Sequence, residues 1–237
     1  MSEPDSSFEE CLERAKLDAM KELAYGASHE INNPLANISA RAQTLLRDER
    51  DPERRRALEA INQQALRAHE MISDLMLFAR PPRLDMQQVS LAAVVEQVAG
   101  EVSADCKRRS IELAVAADGA LPEIGGDSVQ LAVAVKAVIV NSIEAIGQGG
   151  RVDAMMTPLE GAVRIEIRDN GPGISTEVRT HMFDPFYSGR EAGRGLGFGL
   201  PKAWRIVTAH GGRIWAESAG DEGATFVIEL PSGAGRS

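Results

Sequence analysis

Cysteine is almost missing from this chain: Cys11 and Cys106 stand alone among 237 residues. They lie far apart and neither belongs to a C-x-x-C pair, so they read as two reduced thiols rather than a disulfide framework. Aromatic residues are scarce as well, with six Phe, two Tyr and two Trp, which leaves Ala, Val, Ile and Leu to supply the core. Basic residues are outnumbered 26 to 35, for a net charge of −9. Nonspecific nucleic-acid binding needs a basic face, so no nucleic-acid partner is expected. An anionic ligand must then be held by local donors rather than by an overall positive field. No apolar run approaches the ~20 residues that cross a bilayer, and no membrane segment is expected. The start, "MSEPDSSFEE", lacks the basic and apolar regions of a signal peptide. The expectation is a cytoplasmic protein, or the cytoplasmic part of a longer one.

What is present is strong patterning. From Phe8 to Leu46 the apolar residues Leu12, Ala19, Leu23, Ile31, Leu35, Ile38, Ala42 and Leu45 follow helical intervals. "RDERDPE" interrupts them with charge and Pro52. A second helix is predicted from Glu53 to Ala79, where Ile61, Ala65, Ala68, Ile72, Leu75 and Ala79 alternate steps of four and three. "RPP" at residues 80–82 ends it. Two helices with a short loop make an antiparallel hairpin. One hairpin cannot bury both stripes, so a four-helix bundle from two copies, a homodimer through residues 8–79, is predicted.

After "RPPRLDMQQVSL" the composition becomes mixed. Helices are predicted near 91–107, 127–146 and 198–210, and strands near 111–116, 151–157 and 162–169. Two closing strands are "GRIWAES" and "ATFVIEL". The last four strands fall in antiparallel-looking pairs, which predicts an α/β sandwich. The fold class is therefore α+β, a helical hairpin followed by that sandwich. The expected domains are 8–80, a linker at 81–90, a second domain at 91–231 and a flexible tail at 232–237.

Four segments carry chemistry. "SHEINNPLANI" (28–38) places a histidine, a glutamate, two asparagines and a proline inside a predicted helix. Ile31 is on the apolar stripe, and two residues turn ~200° around a helix, so His29 points away from the hairpin core. Glu30 adjoins it, and Asn33 lies one turn on, on the same face. An H-E-x-x-H zinc site would need a second histidine where Asn33 stands. "VIVNSIEAI" (138–146) interrupts an apolar helix with Asn141, a buried amide that requires partners. "RDNGPGI" (168–174) follows a strand, and its glycines let another molecule approach the backbone. "GRGLGFGL" (193–200) leads into a helix and leaves backbone N–H groups free for phosphate.

Taken in order, these segments resemble the sensor histidine kinases of two-component systems over residues 8–231. "ASHEINNPL" is similar to their H-box, "VNSIEAI" to the N-box, "DNGPGI" to the G1 box, "FDPFYSG" to the F-box and "GRGLGFGL" to the G2 box. The resemblance implies a dimerisation and histidine-phosphotransfer hairpin, then an ATP-binding domain of the Bergerat (GHKL) type. It implies that His29 attacks the γ-phosphate of ATP, with Glu30 as base. Asn141 would hold Mg²⁺, and Asp169 would bind the adenine amino group, with Gly171 and Gly173 giving the base room. Gly195, Leu196 and Gly197 would lie at the phosphates under a lid at about 184–196 anchored by Phe183 and Phe186.

The chain departs from the family pattern at two places. Ala137 stands where the N-box usually has a further Asn, and where related ATPases place a water-activating Glu; this favours phosphoryl transfer over hydrolysis. Ser188-Gly189-Arg190 replaces the usual Thr-Lys of the lid, and Arg190 would take over the phosphate contact. Asn33, four residues after the histidine, matches a position associated with dephosphorylating the partner response regulator. Asp127 matches a frequent family Asp and receives no role from sequence. The resemblance implies kinase activity toward an aspartate of a receiver domain; the alternatives are another GHKL ATPase or a scaffold that binds ATP without phosphorylating histidine.

Overall fold

The structure is a computed structural model that describes residues 30–79, 82–184, 187, 197–218 and 223–233. The chain divides into two units, Met1–Pro82 and Arg83–Ser237.

In the first unit, residues 30–48 form helix α1, which runs through Pro34 without a break. Helix α2 spans Pro52–Ala79. Asp51 starts α2: its carboxylate accepts from the Glu53 and Arg54 N–H groups at 2.9 and 3.1 Å. Pro52 fills the first helical position, where its missing N–H costs nothing. The two helices meet through small and polar residues, since Ser39, Ala42 and Ala65 are buried. Ser39 Oγ donates to Asn62 Oδ1 at 2.7 Å, and Asn32 Oδ1 lies 3.0 Å from His69 Nδ1. Leu35 and Ile72 of the predicted stripes are half-buried, but Ile31, Ile38 and Leu45 are 40, 45 and 59% exposed in a single chain, and Ile61 is exposed too. One hairpin has one contact face, and the heptad-spaced large residues are not on it.

The second unit is built on a five-stranded sheet of order β2-β4-β5-β7-β6. Its strands are β2 (Ile111–Ala117), β4 (Gly150–Leu159), β5 (Ala162–Asp169), β6 (Arg213–Ser218) and β7 (Ala224–Pro231). Only β2–β4 is parallel; the β4–β5, β5–β7 and β6–β7 pairs are antiparallel. Helices α3 (Leu91–Arg109), α4 (Ser128–Ile146) and α6 (Gly199–Ala209) pack on the sheet and on one another. Strand burial alternates accordingly, with Val152, Ala154 and Met156 inside. The open face carries charge: Glu229 accepts from Arg164 and from Arg213, each at 2.6 Å. Hydrogen bonding from Arg164 first, then from Arg213, holds its carboxyl below the usual range against the effect of burial.

Three short elements escape the sequence reading: β1 (Gln87–Val89), β3 (Ile124–Gly126) and α5 (Thr176–His181). β1 lies within the residues expected to be linker and pairs antiparallel with β3. Helix α4 corrects the expectation about apolar runs, because it is long and apolar enough by length and composition to cross a membrane. It is the core helix of this unit, with Leu131, Val135, Val138, Ile139 and Ile143 almost fully buried.

Candidate functional site

The ends of α4 and β5 are brought together by small residues. A Cβ on Gly171 would sit 2.9 Å from Asp169 Oδ1, 3.5 Å from the Ile146 nitrogen and 3.6 Å from the Ala145 carbonyl carbon. Gly150 admits the Asn170 side chain, whose Oδ1 accepts from the Arg151 N–H at 2.8 Å. Gly223, at φ +90, would drive a Cβ to 2.0 Å from the Asp169 carbonyl oxygen. Gly173 has φ +78, which continues the turn at no steric cost. The Ile174 N–H then donates to Ser218 Oγ at 3.0 Å, and that hydroxyl donates to the Gly223 carbonyl at 2.9 Å. The G1-type turn is thus locked to β6 and to the start of β7.

Asp169 ends this cradle at 3% exposure. Its Oδ1 accepts from the Gly171 and Ala224 N–H groups at 3.0 and 3.3 Å. Its Oδ2 is buried with no hydrogen-bond partner. A buried carboxylate oxygen left unpaired is costly in the free protein and is suited to a donor on a ligand. Asn141 projects from α4 four residues before Ala145, the level of the Gly171 contact.

Asp127 now has a role. It caps α4, with Oδ1 accepting from the Val129 and Gln130 N–H groups at 3.0 and 3.1 Å. Its Oδ2 accepts from the Asp85 N–H at 3.1 Å and from Gln130 Nε2 at 3.3 Å. Burial pushes this carboxyl up, but the hydrogen bonds from Gln130, Asp85 and Val129 outweigh it and hold the group below the usual range. The Asp127 N–H donates to Nε2 of buried His210 at 3.0 Å, and His210 Nδ1 donates to the Ile206 carbonyl at 2.8 Å. The signal for this cap was in the sequence: Asp followed three residues later by Gln is a capping box variant.

On the far side, Gly197 has φ +71, and a Cβ there would fall 2.1 Å from the Tyr187 carbonyl oxygen. Tyr187, inside the expected lid, and Gly197, just after it, therefore lie against each other. Helix α6 begins two residues later with no side-chain hydrogen bond from Phe198 at its cap. Phe183 is half-buried beside the buried Met182. Glu30 and Asn33 are exposed on α1. His29, Phe186, Arg190, Gly195 and Leu196 lie outside the described residues. The structure therefore brings Asp169, Gly171 and Gly173 together in one turn, while Asn141 is half-buried on α4 one helical turn before Ala145. Among the described residues no group of three or more His, Cys, Asp or Glu side chains is placed to hold a metal. A cation here would depend on Asn141 and on oxygens brought by the ligand, which suits Mg²⁺ bound through phosphates.

Comparison with known proteins agrees with both units. The family model "His Kinase A (phospho-acceptor) domain" matches residues 19–83. The model "Histidine kinase-, DNA gyrase B-, and HSP90-like ATPase" matches residues 126–234. The sensor histidine kinase ZraS of Escherichia coli K12 is 32% identical over 226 residues, 94% of this chain and 48% of ZraS. The chain thus spans about half the length of that relative. Full-length ShkA, crystallised with AMPPNP, superposes with a TM-score of 0.79 at 25% identity, over 91% of this chain and 47% of ShkA. The histidine kinase ThkA, in complex with the response regulator protein TrrA, has the same fold at 22% identity, with a TM-score of 0.69 over 98% of this chain and 68% of ThkA. With a phospho-acceptor hairpin and a GHKL-type ATPase domain in this order, the chain belongs to the sensor histidine kinases of two-component systems.

Proposed function

We propose that this chain binds ATP with Mg²⁺, phosphorylates itself on His29 and passes the phosphoryl group to an aspartate of a response-regulator receiver domain. The observation that carries the nucleotide reading is the buried, unpartnered Oδ2 of Asp169, an acceptor suited to the adenine amino group. Gly171 and Gly173 leave room for the base, and Asn141 would hold Mg²⁺, which would offset the charge of the phosphates. The uncapped start of α6 and the backbone near Gly195, Leu196 and Gly197 offer N–H donors to phosphate oxygens. Phe186 anchors the lid, and Arg190 contributes its charge to the phosphates.

In the first step a ring nitrogen of His29 forms a bond to the γ-phosphorus as the bond to the ADP oxygen breaks. Glu30, next in sequence, accepts the proton from the other ring nitrogen as the N–P bond forms. In the second step a receiver carboxylate oxygen bonds to phosphorus and the N–P bond breaks. Asn33 orients a water for the opposing reaction, in which the water oxygen bonds to phosphorus, the bond to the receiver carboxylate breaks and inorganic phosphate leaves. The chain acts as a homodimer through residues 8–79, in the cytoplasm, with the hairpin at 8–80 and the ATP-binding domain at 91–231.

Incubation with γ-labelled ATP and Mg²⁺ tests the proposal. The label should withstand alkali, be lost in acid and be absent from His29→Gln. Nucleotide binding without any label on the chain would instead support a scaffold or another GHKL ATPase.

A further inference from the structure

Polar contacts between the two hairpin helices recur at a fixed interval. His69 Nδ1 meets Asn32 Oδ1 at 3.0 Å, Ser39 Oγ donates to Asn62 Oδ1 at 2.7 Å, and Arg55 Nη1 donates to the Leu46 carbonyl at 3.3 Å. Each contact lies seven residues from the next on both helices, so a slip of α1 along α2 would break all three. Polar groups at heptad spacing fix the register of packed helices. The middle rung is reinforced by Gln43 Nε2, which lies 3.3 Å from Ser39 Oγ and 3.4 Å from Asn62 Oδ1. The rung at Asn32 has a different setting. Pro34 cannot donate to the Glu30 carbonyl, so this turn of α1 lacks one of its backbone hydrogen bonds. Asn32 is half-buried within that turn.

A carbonyl oxygen only accepts, so His69 Nδ1 carries the proton and donates to Asn32. This bond reaches across from an unbroken helix and restrains α1 where α1 has lost a bond of its own. Glu30 and Asn33 are exposed in the same turn, and His29 is joined directly to Glu30. A rotation of the turn would move the groups that react, and a misplacement of about 1 Å can cost ~100-fold in rate. We infer that His69 is a positioning residue for phosphoryl transfer, acting through Asn32 to hold the proline-weakened turn that follows His29. This rests on His29 being the phospho-acceptor proposed above. His69 takes no part in making or breaking bonds, and the other two rungs keep the helices in register without it.

The test is the rate at which the full chain takes label from γ-labelled ATP with Mg²⁺, together with the KM for ATP. His69→Ala should label about tenfold more slowly, as expected for one lost hydrogen bond. Its KM for ATP and its helical circular dichroism should match those of the wild-type chain. His69→Asn places an amide N–H close to the position of Nδ1 and should recover most of the rate. Pro34→Ala restores the backbone bond and makes the tie to α2 redundant, so in that background His69→Ala should cost less than about threefold. An unchanged rate in His69→Ala would overturn the assignment. So would a slow His69→Asn chain, an undiminished loss in the Pro34→Ala background, or a loss matched by a rise in KM or a fall in helicity. A wild-type chain that takes no label, or a His29→Gln chain that keeps it, would overturn the phospho-acceptor reading itself, and the role of His69 with it.

Discussion

Two aspartates at opposite ends of α4 show how environment divides one residue type between jobs. Asp127 has both oxygens filled by four donors, so it has nothing left for a ligand. Asp169 has one oxygen filled and one waiting. Asp127→Ala should therefore act on stability, costing about 1–2 kcal/mol for a lost cap. Because the folded carboxyl is held below its usual range, its contribution is present above the unfolded value and lost as pH falls through the folded one. Chemical denaturation of wild type and variant should show a gap that is constant at neutral pH and closes in strong acid. Asp169→Asn should behave in the opposite way. Its remaining oxygen can keep the bonds from Gly171 and Ala224, so unfolding should change by less than about 1 kcal/mol. The new amide N–H₂ faces the adenine amine with the wrong polarity, and ATP binding should weaken at least ~tenfold in calorimetry.

Elements long enough to show a period were legible. The predicted helices at 91–107, 127–146 and 198–210 fall within two residues of α3, α4 and α6. The strands of the five-stranded sheet were placed as well. β1 and β3 were not, because three residues cannot display a period of two, and their pairing depends on a partner over thirty residues away. At the site, the glycines and Asp169 were visible as a turn after a strand. The unpartnered oxygen of Asp169 was not, because its pairing is decided only when β5, the turn after it and the start of β7 fold together. The role of Asn32 also needed the structure, since His69 is its partner from the other helix. Helix α1 still poses the question of its weak formers. Pro34 cannot donate to the Glu30 carbonyl, so one hydrogen bond is missing a turn after His29 although the helix continues. Pro34→Ala restores that bond and should shift the ratio of autophosphorylation to regulator dephosphorylation, measured on one preparation. Asn33→Ala should keep autophosphorylation and lose the phosphatase activity; an equal fall in both would sink its assignment.

At the scale of the whole molecule, the hairpin is the part that a single chain leaves incomplete. Its own helices meet through Ser39, Ala42 and Ala65, whereas Ile31, Ile38 and Leu45 recur every seven residues on exposed α1 surface. A seven-residue repeat of large apolar groups is the signature of a helix that packs along a second seam. Burying one such side chain contributes about 1.5–3 kcal/mol, and a dimer buries every stripe residue twice. Such a seam would be large enough to govern assembly, while the second unit keeps its own core. Ile38→Glu would place a charge at the middle of that seam. Sedimentation at micromolar concentration should find a dimer for the wild-type chain and a monomer for this variant, with ATP binding by the second unit retained. A monomeric wild-type chain, or a dimeric Ile38→Glu chain, would show that this stripe does not hold two copies together.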